Sequence, residues 1–388
     1  MRTITYWLSI LLILTLPWEN ILNLESLGRI SRVIGFIVTI LWLATVLFTR
    51  KIRKPNSFHV VIYLFILWNM VTILWSVNPD RTISRIQTYL QLFVFVLILW
   101  DYYSEPLALK AGLQAYVLGA YVSIGSTIYN YNQGNIFNYD RFSANGFNPN
   151  DLALILSLGI PAAWYLAITD KDDRLSYLMK TINFVYVPAA TFAIFLTVSR
   201  AALISLVLSL LFVLSSLTRF RVTTRIIVMV ALIISFFVVR NYIPPTAVYL
   251  LEKKQGNLTH RDIIWNEGVR ILSEHIILGV GSNAFATANK ANGQVAHNIF
   301  LGVIAETGIV GFCLFLLILA LAAYQLKYLP KGEMMFWLAI LLILMIGGLT
   351  HNVEDRKQMW LFLSFLVAYG SFFRKQTNAP FIIESQKS

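Results

Sequence analysis

The chain has 388 residues, 57% of them hydrophobic and 13% charged, with 31 Lys+Arg against 19 Asp+Glu and a net charge of +12. Soluble domains carry roughly 45–50% apolar and about 25% charged residues, so this chain has too little polar surface to cover its own core in water. A soluble enzyme, a disordered chain and a secreted disulfide scaffold are excluded, and the single Cys313 has no partner within the chain. In a membrane protein the positive excess reports orientation, so no nucleic-acid partner is expected.

In chain order, apolar stretches able to cross about 30 Å of hydrocarbon predict spans at 6–22, 30–49, 58–76, 86–101, 108–129 and 151–168. The first resembles a signal peptide, but it lacks a small-x-small cleavage site and reads as a retained span. The stretch from Thr181 to Leu217 is broken only by Thr197-Val198-Ser199-Arg200. As one helix it would be about 55 Å long, too long for a single crossing. It therefore predicts two helices joined by a very tight turn. Basic residues flank it at both ends (Lys171, Arg174 and Lys180; Arg219, Arg221 and Arg225), which puts Arg200 at the opposite surface. Spans at 226–243, 298–323, 334–350 and 358–373 complete a count of about twelve. Placing both termini inside gathers the basic loops there, above all Arg50-Lys51-Arg53-Lys54. The expected class is an all-α integral membrane protein with spans one to nine over 1–243, an extracytoplasmic loop over 244–297, spans ten to twelve over 298–373, and an inner tail over 374–388.

Within the loop, Thr259-His260-Arg261-Asp262 has helix N-cap spacing. Trp265, Val269, Leu272 and Ile276 then recur as an apolar stripe, predicting an amphipathic helix on the membrane surface.

Arginines on the outer side go against the positive-inside rule, so each calls for a reason. Arg81, Arg85, Arg141, Arg200, Arg261 and Arg356 come from five outer segments and could converge on one anion, since a guanidinium donates a planar fork to phosphate. The alternative is headgroup contact or local pairing, such as Arg81 with Asp80 or Arg141 with Asp140. For Arg200 the tight turn favours the functional reading. His297 and His351 sit at the outer boundary, where an imidazole can act as general base near pH 7. His59, His260 and His275 read as structural or solvated. Glu306 lies half a helical turn round from His297 and about 13 Å deeper, so a capping or pairing role is expected for it. No zinc-ligand spacing, P-loop, nucleophile elbow or outward Asp-x-Asp pair is present, so neither a metal nor another cofactor is expected.

Several segments together resemble the O-antigen ligase and polymerase family of bacterial envelope glycosyltransferases. His297-Asn298-Ile299-Phe300-Leu301, continuing through Glu306-Thr307-Gly308 to Gly311, is similar to that family's HN-x-x-L…E-x-G-x-x-G opening of a late span. Arg261 with Trp265, and Leu278-Gly279-Val280-Gly281, are similar to its R-x-x-x-W…LGVG loop. Asn148-Pro149-Asn150-Asp151-Leu152-Ala153 and Ser199-Arg200 are similar to its NPN-x-LA and SR segments. The resemblance implies a GT-C-like membrane fold and metal-independent, inverting glycan transfer. The donor would be a polyprenyl (undecaprenyl) pyrophosphate carrier, and the acceptor a lipid-linked or lipid A-core saccharide, on the periplasmic side of the bacterial cytoplasmic membrane. By motif match it assigns catalysis to His297, Arg200 and Arg261. Substrate binding is expected of Arg141 and Arg85 by position, of Arg81 and Arg356 as outer arginines, and of Asn298 and His351 beside the motifs. Two alternatives stay open: a repeat-unit polymerase of the same family, and a twelve-span anion transporter. The latter is disfavoured because residues 1–190 and 191–388 show no related halves.

Overall fold

The computed structural model describes residues 1–24, 28–137, 141–169, 174–217 and 261–378, with a few positions between 222 and 237. Apart from one short antiparallel hairpin, β1 (Asn23–Leu24) with β2 (Gly28–Arg29), the regular structure among the described residues is helical. The helices are α1 (Arg2–Thr15), α2 (Ile30–Thr49), α3 (Ser57–Val71), α4 (Pro79–Tyr102), α5 (Pro106–Asn132), α6 (Pro149–Thr169), α7 (Arg174–Leu196), α8 (Arg200–Ser216), α9 (Arg261–His275), the short α10 (Phe285–Ala288), α11 (Ile299–Ala323), α12 (Lys331–Gly348) and α13 (Lys357–Asn378). Among the described residues, eight helices are long and apolar enough to cross a membrane, and two shorter apolar ones begin at Arg2 and Arg200. Eleven of the twelve expected stretches are helical; the ninth, 226–243, falls mostly outside the described residues, as does Thr259.

Helix ends differ from the expected ones where polar turns continue an apolar run. α4 starts at Pro79, seven residues before the apolar stretch, because the Asn78 side chain accepts from the Arg81 amide and caps it. α13 likewise runs on to Asn378. The expected tight turn is present: α7 ends at Leu196, Val198 takes a left-handed φ of 46°, and Ser199 caps α8 through the Ala202 amide.

α6 is the central helix, buried along nearly all its length against α5, α7, α8 and α12. α1 sits between α2 and α5, while α3 packs on α11 and α4. At one end Asp101 ties the chain together, accepting from Arg2, the Trp42 indole and the Arg53 amide. The Arg53 guanidinium lies 3.4 Å over the Trp100 ring. His59 shares a capping box with Asn56, the structural role expected of it.

The segment 261–297 packs round a second apolar cluster of Ile264, Ile271, Val280, Phe285, Ala296 and Ala305. Here α9 packs on the protein through a face other than its apolar stripe. Ile264, Gly268 and Ile271 are buried, with Leu301 of α11 close over Gly268. Val269 and Ile276 of the stripe are 62% and 57% exposed, so they point away from the protein.

Candidate active site

The joint between this segment and α11 explains the glycine spacing. α11 is interrupted at Gly308, whose φ is +65° and where a Cβ would lie 2.0 Å from the Ile277 carbonyl oxygen. The carbonyls of Ala305, Glu306 and Thr307 accept from outside the helix: from the Val280 amide at 3.0 Å, the Gly281 amide at 2.9 Å and the Trp68 indole at 2.7 Å. The Ile309 amide in turn donates to Ile276 at 2.9 Å. The loop 276–281 is therefore stitched into a broken helix, with backbone groups on both sides satisfied. Glu306 completes the joint, accepting from the Asn283 amide at 2.7 Å and the Phe285 amide at 3.4 Å. This is the capping role expected of it.

Above this joint lies a cavity of about 370 Å³. Asn148, Asn150 and Asp151 line it from the start of α6, Arg261 from α9, and Gln294, Val295 and His297 from the segment before α11. His351, Asn352 and Arg356 close it from the loop before α13. Four of the expected site residues, Arg261, His297, His351 and Arg356, thus share one space. Arg261 and Trp265 stand one helical turn apart on α9 and divide the work: the Trp265 indole donates to the Ala296 carbonyl at 3.3 Å, while the Arg261 guanidinium donates to the Thr350 carbonyl at 3.2 Å.

Arg200 is the exposed first residue of α8, close enough to Arg261 for the two charges to repel. Burial, then the Arg200 charge, lowers the Arg261 pKa, so its cationic form is held in an unfavourable setting. α6, α8, α9, α11 and α13 all begin at this end of the molecule, at Pro149, Arg200, Arg261, Ile299 and Lys357. A helix N-terminus carries about +0.5 of an elementary charge, so a cation in its first turn is disfavoured by roughly 0.3–1 kcal/mol and an anion is favoured by a similar amount. Arg261, in the first turn of α9, is therefore placed where an anion in the cavity would stabilise it.

The two histidines differ in how their nitrogens are used. His297 has a left-handed φ of 49°, a backbone state that costs a residue with a Cβ about 1–3 kcal/mol. Burial lowers its pKa and Arg261 lowers it further, with Asp151 opposing, so the ring is neutral at pH 7. Burial takes His351 down to about 4. The Thr350 hydroxyl lies 3.0 Å from the Gly347 carbonyl and 2.8 Å from His351 Nδ1. His351 Nε2 is buried and has no hydrogen-bond partner among the described residues.

Within the cavity Arg356 pairs with Asp151 at 2.9 Å. The remaining expected residues lie outside its lining. Arg141 donates to the Thr197 carbonyl at 2.9 Å and to Asn150 at 2.6 Å, bracing the tight turn against α6. Asn298 caps α11, its Oδ1 accepting from the Phe300 and Leu301 amides at 3.0 and 3.2 Å. Arg85 is buried away from the cavity lining, 3.0 Å from Glu354, 3.5 Å from Asp355 and 3.1 Å from the Asn283 side chain. Arg81 is exposed at the start of α4, its carbonyl accepting from Asn283 at 3.3 Å. Asn150, Asp151 and Asn352 also line the cavity; the first two belong to the NPN-x-LA segment, but none of the three was expected as a site residue. The acid and amides at the start of the apolar sixth span were the available signal.

No curated protein matches the chain. Residues 185–316 match the family model described as O-antigen ligase. The matched segment includes Arg200, Arg261, His297, Glu306 and Gly308, and over it the chain is similar to the O-antigen ligase family.

Proposed function

We propose that this protein is a membrane glycosyltransferase of the O-antigen ligase type. It would move a glycan from a polyprenyl pyrophosphate carrier to an acceptor hydroxyl on the outer side of the bacterial cytoplasmic membrane, by a metal-independent, inverting route. The observation that carries this reading is the single cavity shared by Arg261, Arg356, neutral His297 and His351, at the end where five helices begin.

In this scheme Arg261 and Arg200 face the pyrophosphate and neutralise the charge that grows on it as it leaves, the role a metal ion plays in other transferases. His297 takes the proton from the acceptor hydroxyl. The hydroxyl oxygen forms its bond to the anomeric carbon as the bond from that carbon to the pyrophosphate oxygen breaks. The electron pair departs with the lipid pyrophosphate, and one displacement inverts the carbon. His351 orients the acceptor through a hydrogen bond between Nε2 and a sugar hydroxyl. Arg141, Arg85 and Asn298 act by holding the walls.

The test is transfer by purified protein from a polyprenyl pyrophosphate glycan to a lipid A-core saccharide, with and without chelator. Activity should survive the chelator and fall at least a hundredfold or so in His297→Ala and Arg200→Ala. Correctly inserted variants at near wild-type rates would overturn the mechanism. Deleting the gene should remove all attached glycan. Loss of long chains with single units still attached would instead mark a repeat-unit polymerase.

A further inference from the structure

A second polar cavity, of about 430 Å³, lies far from the first. Four cations line it, Arg2, Lys51, Arg53 and Lys375, with two carboxylates, Asp101 and Glu105. From Lys357, next to Arg356 of the active-site cavity, to Lys375, α13 rises about 27 Å at roughly 1.5 Å per residue. That is close to the roughly 30 Å of a hydrocarbon core, so the two cavities open at opposite faces of the membrane. The basic residues of 50–54 orient the chain, but orientation requires charge alone and no fixed position for it. Arg53 has a fixed position.

Its guanidinium donates to the Trp100 carbonyl at 3.1 Å and to the Ser371 hydroxyl at 3.2 Å, and lies 3.4 Å over the Trp100 ring. These bonds hold the planar fork in place and leave part of its donor set unused. Asp101 is already occupied by Arg2 at 3.1 Å, the Arg53 amide at 3.1 Å and the Trp42 indole at 3.3 Å. Burial lowers the Arg53 pKa to about 10, and the Asp101 charge offsets that only in part, so an anion beside the guanidinium would relieve it. Lys51, Lys375 and Glu105 are exposed and make no ion pair among the described residues. The surroundings decide between a lipid and a soluble anion. Leu47 and Phe48 at the end of α2 and Leu107 at the start of α5 are 76%, 81% and 81% exposed, and Ile52 and Phe372 line the cavity itself. Apolar side chains this exposed at the rim of a polar site are places for acyl chains, and a phosphodiester matches the guanidinium fork.

We propose that this cavity binds the headgroup phosphate of an anionic phospholipid in the leaflet opposite the active site, with the phosphate on Arg53 and with Lys51 and Lys375 beside it. A free phosphate shares the headgroup's chemistry but has no use for the apolar rim. The site is independent of the reaction that the protein performs.

The test uses the full chain in detergent, with phosphatidylglycerol, zwitterionic phosphatidylethanolamine and inorganic phosphate as probes, and native mass spectrometry to count what is bound. Wild type should retain phosphatidylglycerol under washing that strips phosphatidylethanolamine, and excess inorganic phosphate should not displace it. The double variant Lys51→Glu/Lys375→Glu should lower this occupancy about tenfold or more, and Arg53→Gln should do the same. Both lysines are exposed, so the double variant keeps the test valid if Arg53→Gln does not fold. Lys331→Glu reverses an exposed charge outside the cavity lining and should leave occupancy unchanged. Wild-type occupancy in the double variant, an equal loss in Lys331→Glu, equal retention of phosphatidylethanolamine, or displacement by inorganic phosphate would each overturn the assignment.

Discussion

His297 is held between a cation and a carboxylate, and Arg261 outweighs Asp151 in setting its protonation. A base must be neutral to act, so the rate should fall only when pH drops through a pKa already depressed below the usual 6.5. Removing the Arg261 charge raises that pKa, so residual transfer by Arg261→Met should show its acidic limb at higher pH than wild type. A pH–rate profile on both proteins checks this, and a limb unmoved by the substitution would detach the two residues. Arg85 has a different task. It bridges Glu354 to the Asn283 side chain in a buried site, so Arg85→Ala leaves carboxylates uncompensated and should cost about 3–5 kcal/mol in denaturant unfolding. The sequence placed Arg81 and Arg85 on one face because they are four residues apart, and spacing alone could not reveal that one faces solvent and the other a carboxylate cluster. Arg261, Arg356, His297 and His351 were legible because a charged or titratable group at a membrane boundary needs a reason. Asp151 and Asn352 were not, since a polar residue at a helix start or in a loop has many ordinary explanations.

At the level of elements, the interruption of α11 organises everything above it. Gly308→Ala would drive a Cβ into the Ile277 carbonyl at a left-handed φ, so it should free the 276–281 loop from its helix. Hydrogen exchange at the Val280 and Gly281 amides should rise by an order of magnitude or more, since about 1.4 kcal/mol of lost protection is tenfold. Transfer should fall in parallel, because Glu306 then loses its hold on Asn283 and Phe285. Exchange rates equal to wild type would show that the helix tolerates the substitution. Gly308 and Gly311 could be seen in the sequence as part of the E-x-G-x-x-G segment. What the sequence hid was a swap of backbone partners, because hydropathy carries no record of which carbonyl a helix gives up. The inward face of α9 was hidden for a related reason. Leu301 of α11 lies close over Gly268, a residue whose missing side chain leaves no apolar signal.

For the whole molecule, the apolar spans were the most legible feature, since burial in hydrocarbon is a local property of about twenty residues. Their polar ends were less so, because helical hydrogen bonding continues past the point where hydropathy stops, as at Pro79 and Asn378. The orientation rests on the basic loops and can be checked by cysteine labelling in a Cys313→Ser background. Asn292→Cys should react with an impermeant maleimide in spheroplasts, whereas Lys51→Cys and Lys331→Cys should react only after permeabilisation. The opposite pattern would turn the molecule over and put the cavity in the cytoplasm. It would also remove the outer-leaflet donor from reach.

Position 297 is where folding and chemistry make opposite demands. Glycine would accept a φ of 49° without the cost of a Cβ, so a chain optimised only to fold would discard the imidazole. Laboratory selection for heat endurance, with no requirement for transfer, should erode this position early. Persistence of the histidine under such selection would mean that its packing, and not its chemistry, keeps it there.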